Sequence, residues 1–349
     1  MVYLSVFLEF CHKDFGKRNK IVTLLILNIE HKNSDEWTRH SSVHYISLSK
    51  SLIQTFNKEN QNNDNRYECP NFAAQTNMID MNSFCKLASV FLCCTLPCSC
   101  DLIDYHPYDV RIDGETGINE KNIALIESQC QGKDTLRFAF MSDSQRWYDE
   151  TQDFVNDVNR RDDIDFVIHG GDLSDFGVTD EFLWQRNILN GLKMPYVVLI
   201  GNHDCLGTGE ETFRTVFGDP NFAFIAGGVK FVCLNTNAIE YDYSRPIPDF
   251  NFIEDEMNTR TDEFDRTVVA MHIRPYCGEF NNNVARVFQR YINLYPSLQF
   301  CLAAHEHRLA EMDLFEDGVM YYLSDCMKHR NYYIFTLTPD GYEREVVYF

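Results

Sequence analysis

Five short apolar runs of the chain are each followed by side chains that can bind a cation or move a proton. In an α/β sheet the carboxyl ends of the strands are where loops can bring such groups to one point. We therefore expect six side chains from these loops to come together. They are, in chain order, Asp143, Asp172, Asn202, His272, His305 and His307.

These six side chains supply carboxylate and amide oxygens and imidazole nitrogens. That donor set suits divalent cations such as Mn, Fe, Zn or Ni, and it lacks the thiolates of a structural zinc site. Taken singly, each residue has an ordinary interpretation, because an Asp after a strand is usually a helix N-cap and a lone His usually a structural group. Their joint occurrence favours a metal site.

The elements that must position these residues follow from the apolar pattern. From Leu136 onward, short apolar runs alternate with helical segments, which we place at 149–160 and 179–192. The second half is richer in strands, so the pattern predicts an α/β (α+β) fold of two packed sheets with helices outside. The predicted strands are 136–141, 166–168, 195–200, 231–234, 267–271, 299–303, 308–315, 319–324, 331–338 and 342–349.

The chain has 349 residues, 44% of them hydrophobic, which is enough for one large domain with a substantial core. Residues 1–100 carry 10 Lys and Arg against 9 Asp and Glu, or +1, so residues 101–349 carry −22 of the chain's net charge of −21. A domain this acidic repels phosphate backbones, which argues against nucleic acid as its partner. The charge suits either cation binding or simple solubility.

The 13 cysteines show no paired spacing typical of zinc sites, and we predict no structural disulfides. Several crowd the stretch around residues 85–100, where Lys86, an apolar run from Leu87 and Cys100 have the layout of a secretory signal. The end of the run resembles a bacterial lipoprotein signal, in which Cys100 would be lipidated; Pro97 departs from that pattern. The alternative is a buried helix or strand.

A signal cannot act from position 81, so we expect translation to begin at Met78 or Met81. On this interpretation residues 1–77 are an upstream extension that is unstructured or not translated, 78–100 the signal, 101–133 a tether with a short helix near 120–129, and 134–349 the domain. The expected location is the bacterial cell envelope, with lipid attachment through Cys100, or the cytoplasm if the signal is not used.

Five motifs together resemble the calcineurin-like metallophosphoesterase family over about residues 135–325. The resemblance implies a four-layer αββα sandwich of two mixed β-sheets flanked by helices, and hydrolysis of a small-molecule phosphoester. The motifs are Asp143, Gly171-Asp172-Leu173-Ser174-Asp175, Gly201-Asn202-His203-Asp204, His272 and His305-Glu306-His307.

The resemblance also implies roles. Asp172 would bridge two divalent metal ions, with Asp143 and His307 on one and the group Asn202, His272 and His305 on the other. A bridging hydroxide would attack phosphorus, and His203 would act as an acid or phosphate ligand rather than a metal ligand. The sequence does not distinguish a phosphodiesterase from a phosphomonoesterase.

Two positions depart from the family pattern. Gln145 stands where the family usually has a His, and an amide oxygen binds metals more weakly than imidazole. Ala304 stands where Gly is usual. A catalytically weak metal- or ligand-binding member of the same fold is therefore the alternative function. Arg146 and Arg274 follow motif positions and are candidates for clamping a phosphate, or else form surface ion pairs.

Overall fold

The computed structural model describes residues 2–11, 22–31, 106 and 108–349. The first unit contains strands β1 (Val2–Cys11) and β2 (Val22–His31), which pair antiparallel. The other residues of 1–77 lie outside the described part of the chain. The interpretation of 1–77 as an upstream extension concerns translation and stays a prediction. The signal-like segment 78–100, with Cys100, lies outside the described residues.

The second unit contains a five-stranded sheet that carries the first three sequence motifs. Its order is β13-β12-β3-β4-β5, with β3, β4 and β5 parallel and the other pairs antiparallel. The three parallel strands therefore end at the same edge. The strands are β3 (Leu136–Met141), β4 (Phe166–His169), β5 (Tyr196–Val198), β12 (Asn331–Thr338) and β13 (Gly341–Tyr348).

A six-stranded mixed sheet carries the histidine motifs. Its order is β10-β11-β9-β8-β7-β6, and the pairs β7–β8, β8–β9 and β9–β11 are parallel. The strands are β6 (Phe222–Ala226), β7 (Val229–Leu234), β8 (Arg266–Met271), β9 (Leu298–Ala303), β10 (Ala310–Asp313) and β11 (Met320–Leu323).

Helices cover the outer face of each sheet. Phe154, Phe182 and Phe213 of the second, third and fourth helices pack on the five-stranded sheet, and Ile253 and Phe288 of the fifth and sixth on the other. The helices are α1 (Ile118–Cys130), α2 (Tyr148–Val158), α3 (Thr179–Leu189), α4 (Gly209–Val216), α5 (Phe250–Asn258) and α6 (Ala285–Ile292).

The two sheets pack face to face around an aromatic core. Phe138 of β3 stacks on Phe166 at 5.2 Å and meets Phe231 of the other sheet edge to face at 5.4 Å. Alternation along β3 sends Phe138 and Phe140 into this core and Ala139 and Met141 toward the helices. The predicted αββα sandwich of two mixed sheets is thus confirmed.

Helix α1 closes the exposed edge of β5. The Asn119 side chain exchanges two 2.9 Å hydrogen bonds with the backbone of Val198, and Asn122 Nδ2 donates to the Tyr196 carbonyl at 2.7 Å. Ile126 and Cys130 reach the core between the sheets. The helix expected within the tether is therefore packed on the compact unit, which includes residues before 134.

Several elements were not predicted from the sequence: β6 and the helices α4, α5 and α6. Helix α5 has only nine residues and places only Ile253 fully inside. In the described part of the chain, no helix is both long and apolar enough to span a bilayer. The six cysteines of residues 108–349 are free thiols.

Candidate metal centre

The predicted donors converge at one end of the sandwich. Strands β3, β4 and β5 end in the loops that carry Asp143, Asp172 and Asn202, and the parallel strands β8 and β9 end before His272 and His305. Backbone bonds join the first two loops, because the amides of Ser144 and Gln145 both donate to the Asp172 carbonyl, at 3.0 and 3.1 Å. The loops thus form one connected frame.

The backbone is strained at four of the predicted donors. Asp143, Asp172, His305 and His307 have φ values of 51°, 60°, 72° and 48°, in the left-handed region that non-glycine residues rarely adopt. Each such residue costs on the order of 1 kcal/mol, and such costs concentrate at functional sites. The strain directs these side chains into the shared space at the strand ends.

One group of donors contains Asp172, His272 and His305, whose ligand atoms lie within 4.8 Å of one another. Asn202 joins them: its Oδ1 lies 2.9 Å from His305 Nδ1 and 3.1 Å from His272 Nε2. His272 Nε2 also lies 3.3 Å from Asp172 Oδ2. The structure thus brings together the residues predicted for one metal.

A second group contains Asp143, Asp172 and His307, again within 4.8 Å. His307 Nε2 lies 3.2 Å from Asp143 Oδ1, without the geometry of a hydrogen bond. The side chain of Gln145 is buried beside them, with its Nε2 3.4 Å from Asp172 Oδ2. Asp172 belongs to both groups.

Two buried oxygens in the second group have no hydrogen-bond donor: Asp143 Oδ1 and Gln145 Oε1. A buried acceptor without a partner costs about 1–3 kcal/mol. A divalent cation between these atoms would satisfy both, and oxygen and imidazole donors are the chemistry such a cation needs. The residues present therefore fit a metal on the Asp143 side as well.

The pKa values of the three histidines follow from their burial and from the charged groups beside them. Burial lowers the pKa of His272, but the adjacent Asp172 carboxylate raises it more, to about 10. The adjacent Asp143 carboxylate raises the pKa of His307, while burial and the neighbouring His272 lower the pKa of His305. The buried carboxylates thus attract positive charge, which a bound cation would supply in place of protons.

Asp204 holds two of the loops in place and was quoted in a motif without a predicted role. Its carboxylate accepts backbone N–H bonds from Gly201, Asp172, Leu173 and Ser174 at 2.9–3.0 Å. These bonds tie the Asp172 loop to the Asn202 loop. Its place in the Gly201–Asp204 motif was the only signal in the sequence.

Glu279 was missed altogether, because it lies in an irregular loop with no motif. Its Oε2 lies 3.3 Å from His305 Nε2, while His305 Nδ1 faces Asn202. A carboxylate beside the outward nitrogen of an imidazole favours the tautomer whose other nitrogen can bind a metal. Glu279 is thus placed to orient His305.

We expect Glu279→Ala to weaken the affinity for a divalent cation about 10- to 100-fold, the effect typical of losing such an orienting partner. Calorimetric titration of the metal-stripped protein with Mn would measure it. Glu279→Gln is the matched control, since its amide oxygen can occupy the same place beside His305 Nε2, and it should retain most of the affinity. Equal affinities in all three proteins would contradict the orienting role.

His203 lies beside the donor groups without belonging to either. Its backbone N–H donates to Asp172 Oδ1 at 3.0 Å, and its ring Nδ1 lies 2.8 Å from the Asp175 carbonyl oxygen. The side chain is 36% exposed. Burial lowers the pKa of His203, but the nearby Asp172 carboxylate and the Asp175 carbonyl raise it more, so the net shift is upward.

Both predicted phosphate-clamping arginines are paired with carboxylates. Arg146, 58% exposed, pairs with Asp175, whose carbonyl oxygen contacts His203. Arg274, 12% exposed, pairs with Glu306. Arg146 therefore lies next to the centre and is open to solvent, whereas Arg274 is mostly enclosed.

Position 145 offers a direct test of the Asp143-side donors. We expect Gln145→His to tighten the weaker of two bound cations by about tenfold or more, or at least about 1.4 kcal/mol, because imidazole binds better than an amide. Competition with a metal-sensitive dye would measure the affinity. Gln152→His, on the exposed face of α2, is the control. Unchanged affinity in Gln145→His would mean that position 145 does not face the cation.

Comparison with known proteins agrees with this geometry. Residues 136–309 match the calcineurin-like phosphoesterase family model. A 3′,5′-cyclic-nucleotide phosphodiesterase of Nostoc is 23% identical over 184 residues, which cover 48% of this chain and 67% of the relative. An uncharacterized protein of Bacillus subtilis, YvnB, is 27% identical over 119 residues, or 30% of this chain and 9% of the relative.

Among solved structures, purple acid phosphatase PPD1 of yellow lupin is similar, with 14% sequence identity and a TM-score of 0.43. The match covers 62% of this chain and 54% of the lupin chain. The family is generally one of metal-dependent phosphoester hydrolases. The segment that matches the family model, 136–309, carries the motif loops of both sheets. The chain therefore belongs to the calcineurin-like phosphoesterase family.

Proposed function

We propose that this protein hydrolyses small-molecule phosphoesters with two divalent cations, one held by Asp143 and His307 and the other by Asn202, His272 and His305. The observation that carries the proposal is that Asp172 belongs to both donor groups. A carboxylate shared in this way can bridge two cations. When bound, the cations supply neutralisation of the phosphoryl oxygens and a lowered pKa for the attacking water.

The chain's own residues prepare this centre. Asp204 holds the backbone amides of the Asp172 and Asn202 loops, so the two loops need no reorganisation when a substrate arrives. The Gly170 carbonyl accepts from His272 Nδ1 at 2.8 Å, which directs Nε2 toward Asn202 and Asp172. Gln145 would contribute its buried Oε1 on the Asp143 side.

His203 is the proposed acid. Its Nδ1 is engaged by the Asp175 carbonyl, and the upward shift of its pKa favours the protonated form of the ring. A protonated imidazole can give its proton to the leaving oxygen as the phosphorus–oxygen bond breaks, which yields an alcohol and a phosphate. Alternatively it donates a hydrogen bond to a phosphoryl oxygen; both roles need the same charge.

Arg146 is the better supported of the two substrate-binding candidates. It is exposed and shares Asp175 with His203, so its guanidinium could move from that carboxylate to a phosphate. The side chain of Arg274 is mostly buried, and Glu306 also pairs with Arg308, which supports a structural role for Arg274.

The test uses the metal-stripped full chain, reloaded separately with Mn, Fe, Zn or Ni. Turnover of bis-p-nitrophenyl phosphate would indicate a phosphodiesterase, and turnover of p-nitrophenyl phosphate alone a phosphomonoesterase. Because the Nostoc relative is named a cyclic-nucleotide phosphodiesterase, 3′,5′-cyclic AMP belongs in the panel. Failure of every metal with every substrate would overturn the proposal.

A catalytically weak metal- or ligand-binding protein is the second candidate, and Gln145 is the feature that favours it. It predicts two bound cations per chain with no turnover. Metal analysis alongside the assay separates the two candidates, since only the hydrolase couples occupancy to turnover.

A further inference from the structure

A separate group of metal-binding side-chain types lies in the turn between β11 and β12. Asp325 and Cys326 are buried, and His329 is half-exposed at the end of a short 3-10 helix, Met327–His329. One ligand atom from each of the three lies within 4.8 Å of the other two. Carboxylate, sulfur and imidazole are the three ligand types that zinc takes from proteins.

One nitrogen is the focus of this cluster. His329 Nδ1 lies 2.9 Å from both carboxylate oxygens of Asp325 and 3.8 Å from Cys326 Sγ. A ring nitrogen carries at most one hydrogen, so it cannot donate a well-directed bond to three acceptors at once. A cation placed among the three atoms would interact with all of them.

The neighbouring basic side chains are engaged elsewhere and leave this position to a cation. Lys328 Nζ lies over the Trp147 ring, 5.5 Å from its centre. Arg330 pairs with Asp153 and lies 3.7 Å from Glu150. The neutral Asn331 amide, whose Nδ2 donates to Asp325 Oδ2 at 3.3 Å, also faces the cluster.

The distances suit zinc after a small movement of an exposed ring. With zinc bonds of about 2.3 Å to sulfur and 2.0–2.2 Å to nitrogen and oxygen, tetrahedral ligand atoms lie about 3.4–3.6 Å apart. The sulfur–nitrogen distance of 3.8 Å is already close to this value. The nitrogen–oxygen distance of 2.9 Å would have to open by about 0.5 Å, and half-exposed His329 has room to turn.

We propose that Asp325, Cys326 and His329 form a third divalent-cation site, separate from the proposed dinuclear centre, with zinc as the cation that best fits the donors. Water would complete the tetrahedron on the exposed side of His329. This site holds the only thiol among the donors assigned to a cation in the described residues, and sulfur selects zinc over Mn or Mg.

The site would stiffen the loop that carries Asp143. The Met327 amide donates to the Asp143 carbonyl at 3.2 Å, and Cys326 forms an isolated β-bridge with Ser142. A cation that fixes the 325–329 turn therefore also fixes the backbone beside Asp143. Its role is structural support of the neighbouring centre rather than direct contact with substrate.

The experiment loads the metal-stripped full chain with Co²⁺, because cobalt bound to a thiolate gives a near-ultraviolet sulfur-to-cobalt absorption that oxygen and nitrogen donors do not. We expect Cys326→Ser to remove one component of this absorption, and His329→Ala to weaken cobalt binding to that component by about tenfold or more. Cys277→Ser, which changes a cysteine outside both sites, is the matched control. The cysteines that are not substituted are the same in all variants, so their contribution cancels in the difference spectra.

Zinc content after dialysis gives a second reading: one ion per chain fewer in Cys326→Ser than in Cys277→Ser. Circular dichroism verifies that each variant is folded. If Cys326→Ser does not fold, His329→Ala tests the site instead, because His329 is exposed. Identical cobalt spectra and zinc content in the Cys326→Ser, His329→Ala and control proteins would overturn the proposal. Asp172→Asn should leave the sulfur–cobalt absorption in place, so failure of the dinuclear centre is distinguishable from failure of this site.

Discussion

Asp172→Asn is expected to lower kcat/KM for a phosphodiester by about 10³-fold or more, because the charged carboxylate that would bridge the two proposed cations is replaced by a neutral amide. Loss of both cations removes several kcal/mol of transition-state stabilisation, and each 1.36 kcal/mol is about a factor of ten. The substitution keeps the shape of the side chain. In the native protein the His203 backbone N–H donates to Asp172 Oδ1 at 3.0 Å, and the amide oxygen of Asn can accept the same bond. The fold should therefore survive.

The measurement pairs steady-state kinetics with metal content for the same preparation. Both should fall together, since Asp172 is common to the two donor groups. Asp265→Asn, an exposed carboxylate at the start of β8, controls for the loss of one negative charge. Full activity of Asp172→Asn would show that this carboxylate does not bridge the cations.

His203→Ala is expected to lower kcat by about 10²–10⁴-fold, the usual contribution of a positioned acid, while leaving metal affinity within about twofold. The ring is bound by the Asp175 carbonyl at 2.8 Å and belongs to neither donor group. An acid matters more when the leaving group is poor. The loss should therefore be larger for a phenyl ester than for a p-nitrophenyl ester.

Leaving-group dependence separates the two possible roles of His203. A loss that is equal for both esters would assign the ring to a phosphoryl oxygen instead of the leaving oxygen. His106→Ala removes an exposed imidazole and serves as the control. A large loss of bound metal in His203→Ala would contradict its place outside the two donor groups.

The strands that carry the motifs were predictable because their signals are local. Apolar runs of three to six residues that lead into the motif loops identify β3, β4, β8 and β9 to within a residue or two. Helices α5 and α6 are short and were not predicted, although α6 buries Phe288 and Ile292 at helical spacing. They are helical because Ile253 and Phe288 can be buried against the six-stranded sheet, which is a tertiary condition.

The same distinction holds within the site. Asp143 and Asp172 follow neighbouring parallel strands, so their convergence follows from the rule that such strands end at the same edge of a sheet. His272 follows a strand of the other sheet and meets them because the two sheets pack together. Glu279 and Asp325 follow no such rule. Glu279 reaches His305 because an irregular loop folds back on β9's end, and Asp325 meets His329 because the turn before β12 is helical.

The sequence by itself therefore determined the family resemblance, the two-sheet architecture and the residues that could hold cations, because these depend on residue type and short-range order. The tertiary structure alone decided that Glu279 lies beside His305, that Gln145 presents a buried oxygen without a donor, and that Arg274 is paired with Glu306. Those facts depend on the path of loops and on distances between side chains far apart in the chain, which strand pairing and the packing of the two sheets set together.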